Sequence, residues 1–332
     1  MASIGVVIPC RNSRPLLQQH LDSLASWLDL AAQVVVVDSF STDGTGDFLQ
    51  AHLRHPKAAF LQRPPGLYQC WNFGVQNIAA QYVYISTVGD TITRSGIEHL
   101  LDVAEQFHSD VVISKPTFMS DHARPAADIR WPVDDLIETL GVTGPRAVSW
   151  LEVLLFTALH FDGTLLGSSA SNLYRTDVLQ RFPFPGDFGK GGDGAWAARH
   201  FADVKWAVTP EKFSTFLLHA DWTAVAEREN WRTSTRMDKV MRDAIEVAAA
   251  NGNISRSELA AHAIPELLDT VGQWLDGKQA FDLHRARRWP WYLNPAAWKA
   301  RSCRNLQRRR VAQWRSQAVT RLRTQVAASN SR

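Results

Sequence analysis

The chain has 332 residues, 45% of them hydrophobic and 21% charged, enough for one large domain or two ordinary ones and incompatible with global disorder. Three widely spaced cysteines, Cys10, Cys70 and Cys303, form no CxxC pair, which excludes a disulfide framework and a cysteine-rich zinc site. The net charge of +3 conceals an asymmetry: 13 of the 36 Lys and Arg and none of the 33 Asp and Glu fall from Arg285 onward, leaving 23 basic against 33 acidic residues before it.

The opening MASIGVVIPC has no basic segment before its short apolar run, so no signal peptide is expected, and no stretch is long and apolar enough to span a bilayer. IGVVIP (4–9) reads as a buried parallel strand ended by proline. Leu17, Leu21, Leu24 and Leu28 then recur at helical spacing. QVVVVDS (33–39) is a second strand, and STDGTGDFLQAHL (41–53) a helix with Ser, Thr and Asp at hand as caps. AAFLQ (58–62) is a third strand, LYQCWNFGVQNIAA (67–80) a helix, and YVYIS (82–86) a fourth strand. RSGIEHLLDVAEQF and DVVIS supply another helix–strand pair. This alternation predicts βαβ units and a mainly parallel sheet, with ligands at the carboxyl ends of the strands, where Pro9–Asn12, Asp38 and Thr87–Asp90 would fall.

Farther on, VSWLEVLLFTALHF predicts a helix, GSSASNLYRTDVLQRF (167–182) a strand and a helix start, and the Gly-rich stretch 182–202 a loop entering a helix near Asp193. Beyond His219 the pattern is mostly helical. On a helix from about Pro295, Val311, Trp314, Ala318 and Leu322 line one face and Arg covers the others; Trp289, Trp291, Tyr292 and Trp298 add aromatics. A basic, aromatic tail suits an anionic membrane surface. Docking on an acidic protein surface is the alternative, and nucleic acid fits less well. The expected units are 1–115, 116–235 and 236–332: two halves of one α/β domain and a helical extension.

Four motifs in order carry a family resemblance. VVIPCRN, VVVVDSFSTDGT, GLYQCWNFGV and STVGD, followed by GGDGAW, resemble the signatures of family 2 glycosyltransferases of GT-A fold, in the branch that builds bacterial surface polysaccharides. The resemblance covers roughly residues 3–220. It implies an α/β, Rossmann-like GT-A domain and an inverting transfer of sugar from a nucleotide diphosphate to a glycan or lipid-linked acceptor; the basic tail would hold such an enzyme on the cytoplasmic face of the membrane. A non-catalytic GT-A-like assembly or glycan-binding component is the alternative.

The resemblance also implies site residues. Pro9, Cys10, Asn12, Asp38, Ser41, Asp43, Gly66, Tyr68 and Asn72 would bind the nucleotide-sugar. Asp90, with His219, would hold a divalent cation, Mg²⁺ or Mn²⁺, and Asp193 would be the catalytic base. Two departures stand out: TVGD keeps one acid where relatives show more, and Gly192 stands where the family usually has Glu before the base. Ser168–Ser171 and Asn172 would contribute to the acceptor floor, and Trp196 would be a sugar-stacking face or core.

Overall fold

The computed structural model describes residues 2–120, 129–161, 163–218, 236–285 and 295–330. Strands β1 (Ile4–Cys10), β2 (Ala31–Asp38), β3 (Ala58–Gln62) and β4 (Tyr82–Ile85) alternate with helices α1 (Leu17–Ala25), α2 (Thr45–His52) and α3 (Leu67–Gln76). They form one parallel half-sheet in the order β3-β2-β1-β4. Every second residue goes to the same side. Ile4, Val6, Ile8, Val34, Val36, Tyr82 and Tyr84 join one apolar core; Val7, Val35, Val37, Val83 and Ile85 join the other. A strand buried on both faces reads as an unbroken apolar run, which is why these segments were plain in the sequence.

After β5 (Thr91–Ile92) and α4 (Arg94–Phe107), the sheet is completed by β6 (Val111–Ile113), β8 (Arg146–Val148), β9 (Asn172–Arg175) and β10 (Trp206–Val208). The full order is β3-β2-β1-β4-β9-β6-β10-β8. Strand β9 runs antiparallel to both β4 and β6, and β8 antiparallel to β10, so the sheet is mainly parallel, as expected, with two reversed strands. A second sheet, which sequence patterning did not suggest, joins β5 to β11 (Ser214–Leu218) and β7 (Thr117–Ser120). Helix α5 (Pro132–Leu140) was also unforeseen. Helix α6 (Trp150–Leu159) starts where Ser149 and Glu152 form a capping box.

The close packing of α3 on the sheet depends on Gly74. A Cβ there would lie 2.3 Å from Val7 Cγ1 and 3.2 Å from Val37 Cγ2. Both valines are rigid, fully buried strand residues. We expect Gly74→Ala to lower stability by about 1–3 kcal/mol through overpacking, measured by urea denaturation; an unchanged midpoint would show that the helix lifts at no cost.

The segment SELAAHAIPELLDTVGQWL was expected as one helical stretch and is two, α10 (Arg256–Ala261) and α11 (Ile264–Arg285). Ala263 between them is left-handed, with φ 52°, two residues before Pro265. Pro265 lacks the N–H that an unbroken helix would need at this point, whereas in the first turn of a new helix that donor has no intrahelical partner to lose. Helix α9 (Met237–Ala250) and α11 pack Met241, Ile245, Leu268 and Val271 into the same apolar cluster as α6 and α3. Helix α12 (Pro295–Asn330) lies along α11 and touches α5 and α6. Its Ala297, Ala300 and Gln307 are buried, and Val311 and Trp314 pack partly against the core. The expected apolar stripe of the tail thus faces protein over its first half; the side chains of Ala318 and Leu322 lie outside the described residues, as do Trp289, Trp291 and Tyr292.

Candidate active site

The strand register brings the predicted loops together. Cys10 pairs with Asp38, and Val7 with both Val35 and Ile85, so β1, β2 and β4 end side by side. Beyond those ends lies a cleft of about 290 Å³ lined by Pro9, Cys10, Arg11, Ser39, Gly66, Trp71 and Thr87 among others. Such a crevice, where a crossover reverses the strand order, is the usual ligand position in α/β sheets.

Asp38 is 5% exposed and held by a dense set of donors. The Ser41 hydroxyl donates to it at 2.5 Å, the Ser41 N–H at 3.2 Å and the Gln62 amide at 3.2 Å. These bonds explain how a carboxylate is tolerated at the end of a buried strand. Gln62, at the end of β3, went unnoticed because its contact with Asp38 depends on register and not on local sequence. Beside it, burial and the Asp38 carboxylate push the Cys10 thiol up to about 12, so it stays neutral.

Asn12 and Asp43 shape the loop around this acid. Asn12 has φ 46°; its N–H donates to Ser41 Oγ and its side-chain oxygen accepts from Thr42 N–H, both at 2.9 Å. Asp43 accepts from the Arg14 and Thr45 N–H groups, each at 3.0 Å, closing the turn that leads into α2. Both therefore tie β1's loop to β2's loop. Asn72 is likewise committed: its amide donates to Phe184 O at 2.8 Å and its oxygen accepts from Phe184 N–H at 3.0 Å. Gly66 opens α3 at the rim of the cleft.

The turn Thr87–Asp90 is built around a left-handed Gly89, φ 102°. Asp90 is 6% exposed; it accepts from Leu217 N–H at 3.0 Å and from the Ser168 hydroxyl at 3.4 Å. Burial pushes its carboxyl up to about 7, against the pull of those two bonds. The Thr87 and Ser169 hydroxyls meet at 2.9 Å next to it. His20 of α1, wholly buried, underpins the turn through Asp90 O and Ser86 Oγ, each at 3.2 Å. Ser168 thus touches the acid and Ser169 its turn, while Asn172 is enclosed in the core.

No group of three His, Cys, Asp or Glu residues able to hold a metal exists among the described residues. His219 lies outside them. One carboxylate with neighbouring hydroxyls does not make a self-sufficient metal cage. It does fit a hard divalent ion that draws most of its oxygens from a bound diphosphate and water.

Asp193 sits in the first turn of α8 (Gly192–His200), 9% exposed, with its own helix's Gly194 N–H donating at 2.8 Å. Burial raises its carboxyl to about 6; hydrogen bonds from Gly194, Tyr68 and Thr164 oppose the shift. A carboxyl poised there is suited to accept a proton near neutrality. Trp196, one turn on, is fully buried, with its indole N–H on Phe182 O at 2.6 Å, so it is core and not a sugar platform.

A mainly parallel eight-stranded sheet flanked by helices, with buried acids at the end of β2 and in the turn after β4 and a third acid opening a helix, is a GT-A-type α/β fold. The glycosyl transferase family 2 model matches residues 5–137. The chain is 26% identical over 112 residues to the glycosyltransferase GlyA of Streptococcus pneumoniae serotype 4, a match covering 33% of this chain and 16% of that protein. Two crystal structures of S. aureus TarS residues 1–349 share the fold. The complex with UDP has a TM-score of 0.52 at 16% identity and covers 95% of this chain and 91% of that one. The complex with UDP-GlcNAc has 0.55 at 15%, covering 95% and 92%. No described helix is long and apolar enough to cross a membrane.

Proposed function

We propose that the protein is an inverting glycosyltransferase that moves a sugar from a nucleoside-diphosphate donor to a glycan or lipid-linked acceptor in surface-polysaccharide synthesis. The observation that carries this reading is Asp193: a buried acid at a helix start, its carboxyl raised to about 6 and flanked by Gly192 and Gly194. The acceptor hydroxyl would attack the anomeric carbon as the sugar–phosphate bond breaks. The diphosphate leaves with the electron pair and Asp193 takes the hydroxyl proton. Attack from the face opposite the leaving group inverts the configuration. Asp38, with Cys10 and Pro9 beside it, is assigned to the nucleoside. Asp90, Thr87 and Ser168 are assigned to the diphosphate end. A divalent cation held by Asp90, with His219 as a further ligand, would neutralise charge on the diphosphate; Asp90 supplies the one carboxylate to hold it. Because TarS was crystallised with UDP-GlcNAc, the first donors to try are UDP-sugars. The test is release of nucleoside diphosphate from a panel of sugar nucleotides, with and without Mg²⁺ or Mn²⁺; no turnover and no binding of any of them would leave only the fold.

We further place the enzyme on the cytoplasmic face of the membrane, held through α12. Trp298 and Leu306 are half exposed on that helix, and Lys299, Arg308, Arg309 and Arg310 point to solvent. Each basic residue near an anionic surface contributes about 1 kcal/mol. Reversing Arg308, Arg309 and Arg310 to Glu in the full chain is expected to abolish sedimentation with anionic vesicles, and wild type should not pellet with neutral ones. Equal pelleting of both proteins would return the helix to a purely intramolecular role.

A further inference from the structure

Beyond the donor contact that the family resemblance implies for GLYQCWN, α3 is bonded into the segment that delivers Asp193. Gln69 donates to Gly186 O at 3.3 Å, Asn72 holds both backbone groups of Phe184, and Gln76 donates to Gln180 O at 3.1 Å. These three residues follow one face of the helix at spacings of three and four. Tyr68 belongs with them. It is 3% exposed, with its ring edge-on to Trp71 at 5.1 Å and tilted against Phe184 at 5.5 Å. Its hydroxyl engages Asp193 twice, through the carboxylate and through the backbone of the same residue.

The ring also occupies the space beside Gly192. A Cβ on residue 192 would lie 2.5 Å from Tyr68 Cδ2 and Cε2 and 2.6 Å from Pro185 O. A glutamate at 192, the residue the family resemblance leads one to expect, has no room in this packing. The tyrosine and the glycine are two halves of one arrangement.

We propose that Tyr68 is a positioning residue for Asp193: its phenol, wedged where a side chain at 192 would go, orients the carboxylate and supplies it a hydroxyl donor. This rests on Asp193 being the base. The titratable groups facing Asp193 are Tyr68 from α3 and Tyr174 from β9; the Thr164 hydroxyl also reaches it. Burial keeps both phenols protonated well past neutrality, so at working pH Tyr68 can only donate to the ionised acid. A donor to the charged form lowers a carboxyl's proton affinity.

The test is Tyr68→Phe in the full chain, which keeps the ring and its packing. Asp193 is followed by ¹³C NMR of carboxyl-labelled aspartate, assigned with Asp193→Asn. The midpoint should rise by about one pH unit, the size expected for one lost hydrogen bond to a charged group. With UDP-GlcNAc as probe donor and water as acceptor, the acid limb of kcat should move by the same amount while KM stays within about twofold. An unmoved midpoint, or a KM rise at unchanged kcat, overturns the proposal and returns Tyr68 to donor contact. A shifted midpoint in a protein that turns over no sugar nucleotide would uphold the pairing while sinking the glycosyltransferase reading. Gly192→Ala, which pushes the ring away from the opposite side, should reproduce the shift.

Discussion

Asp193→Asn is expected to leave a folded protein that binds the sugar nucleotide like wild type and transfers sugar about 10²–10⁴-fold more slowly, the usual contribution of a general base. The fold should survive because Asn keeps the size of the side chain and removes a buried charge. In the wild type the carboxyl's folded value, about 6, lies above its ordinary one. Its neutral form therefore stabilises the fold at low pH, and that contribution fades as pH rises through about 6. The variant lacks this loss, so at pH 8 it should melt no lower than wild type. The same value fixes the pH profile: wild-type turnover should climb through about pH 6 and level off above it. A loss smaller than about tenfold, or a profile without that limb, would remove Asp193 from the reaction.

Asp90→Ala should weaken binding of a nucleoside diphosphate by about 10–100-fold in the presence of Mg²⁺ or Mn²⁺ and little in chelator, by analogy with the affinity lost when a metal site's supporting groups are removed. The argument is the donor set. Among the described residues Asp90 is the acid of its turn, and the Thr87, Ser168 and Ser169 hydroxyls around it are neutral and poor substitutes. The alanine also releases Leu217 N–H, so strand β11 could loosen. Asp90→Asn, which keeps an acceptor for that N–H but not the charge, separates the two effects. If Asn retains metal-stimulated binding, Asp90 serves only to tie the turn to β11. Isothermal titration with UDP, with and without metal, decides between them.

Much of this protein was legible in its sequence. IGVVIP, QVVVVDS and YVYIS are strands because a strand covered on both faces must be apolar throughout, and that run is local information. Their alternation with helices placed Pro9, Asp38 and Asp90 at one sheet edge, since parallel βαβ units put successive strand ends together. The glycines around Asp193 marked a helix entry, and the basic tail marked a helix of its own. Three things only the tertiary structure decided. The sheet of β5, β7 and β11 brings residue 91 to residue 215 and residue 117 to the same strand, and such pairing leaves no periodicity in short segments. The duties of Asn12, Asp43 and Asn72 depend on which backbone groups lie opposite them. Asn72 meets a partner 112 residues away, and nothing in a motif distinguishes an amide facing a ligand from one facing Phe184. The choice of glycine at 192 is the third. In the sequence it is a missing acid; in the fold it is the volume filled by a tyrosine 124 positions earlier, because close packing between distant segments fixes which side chains have room.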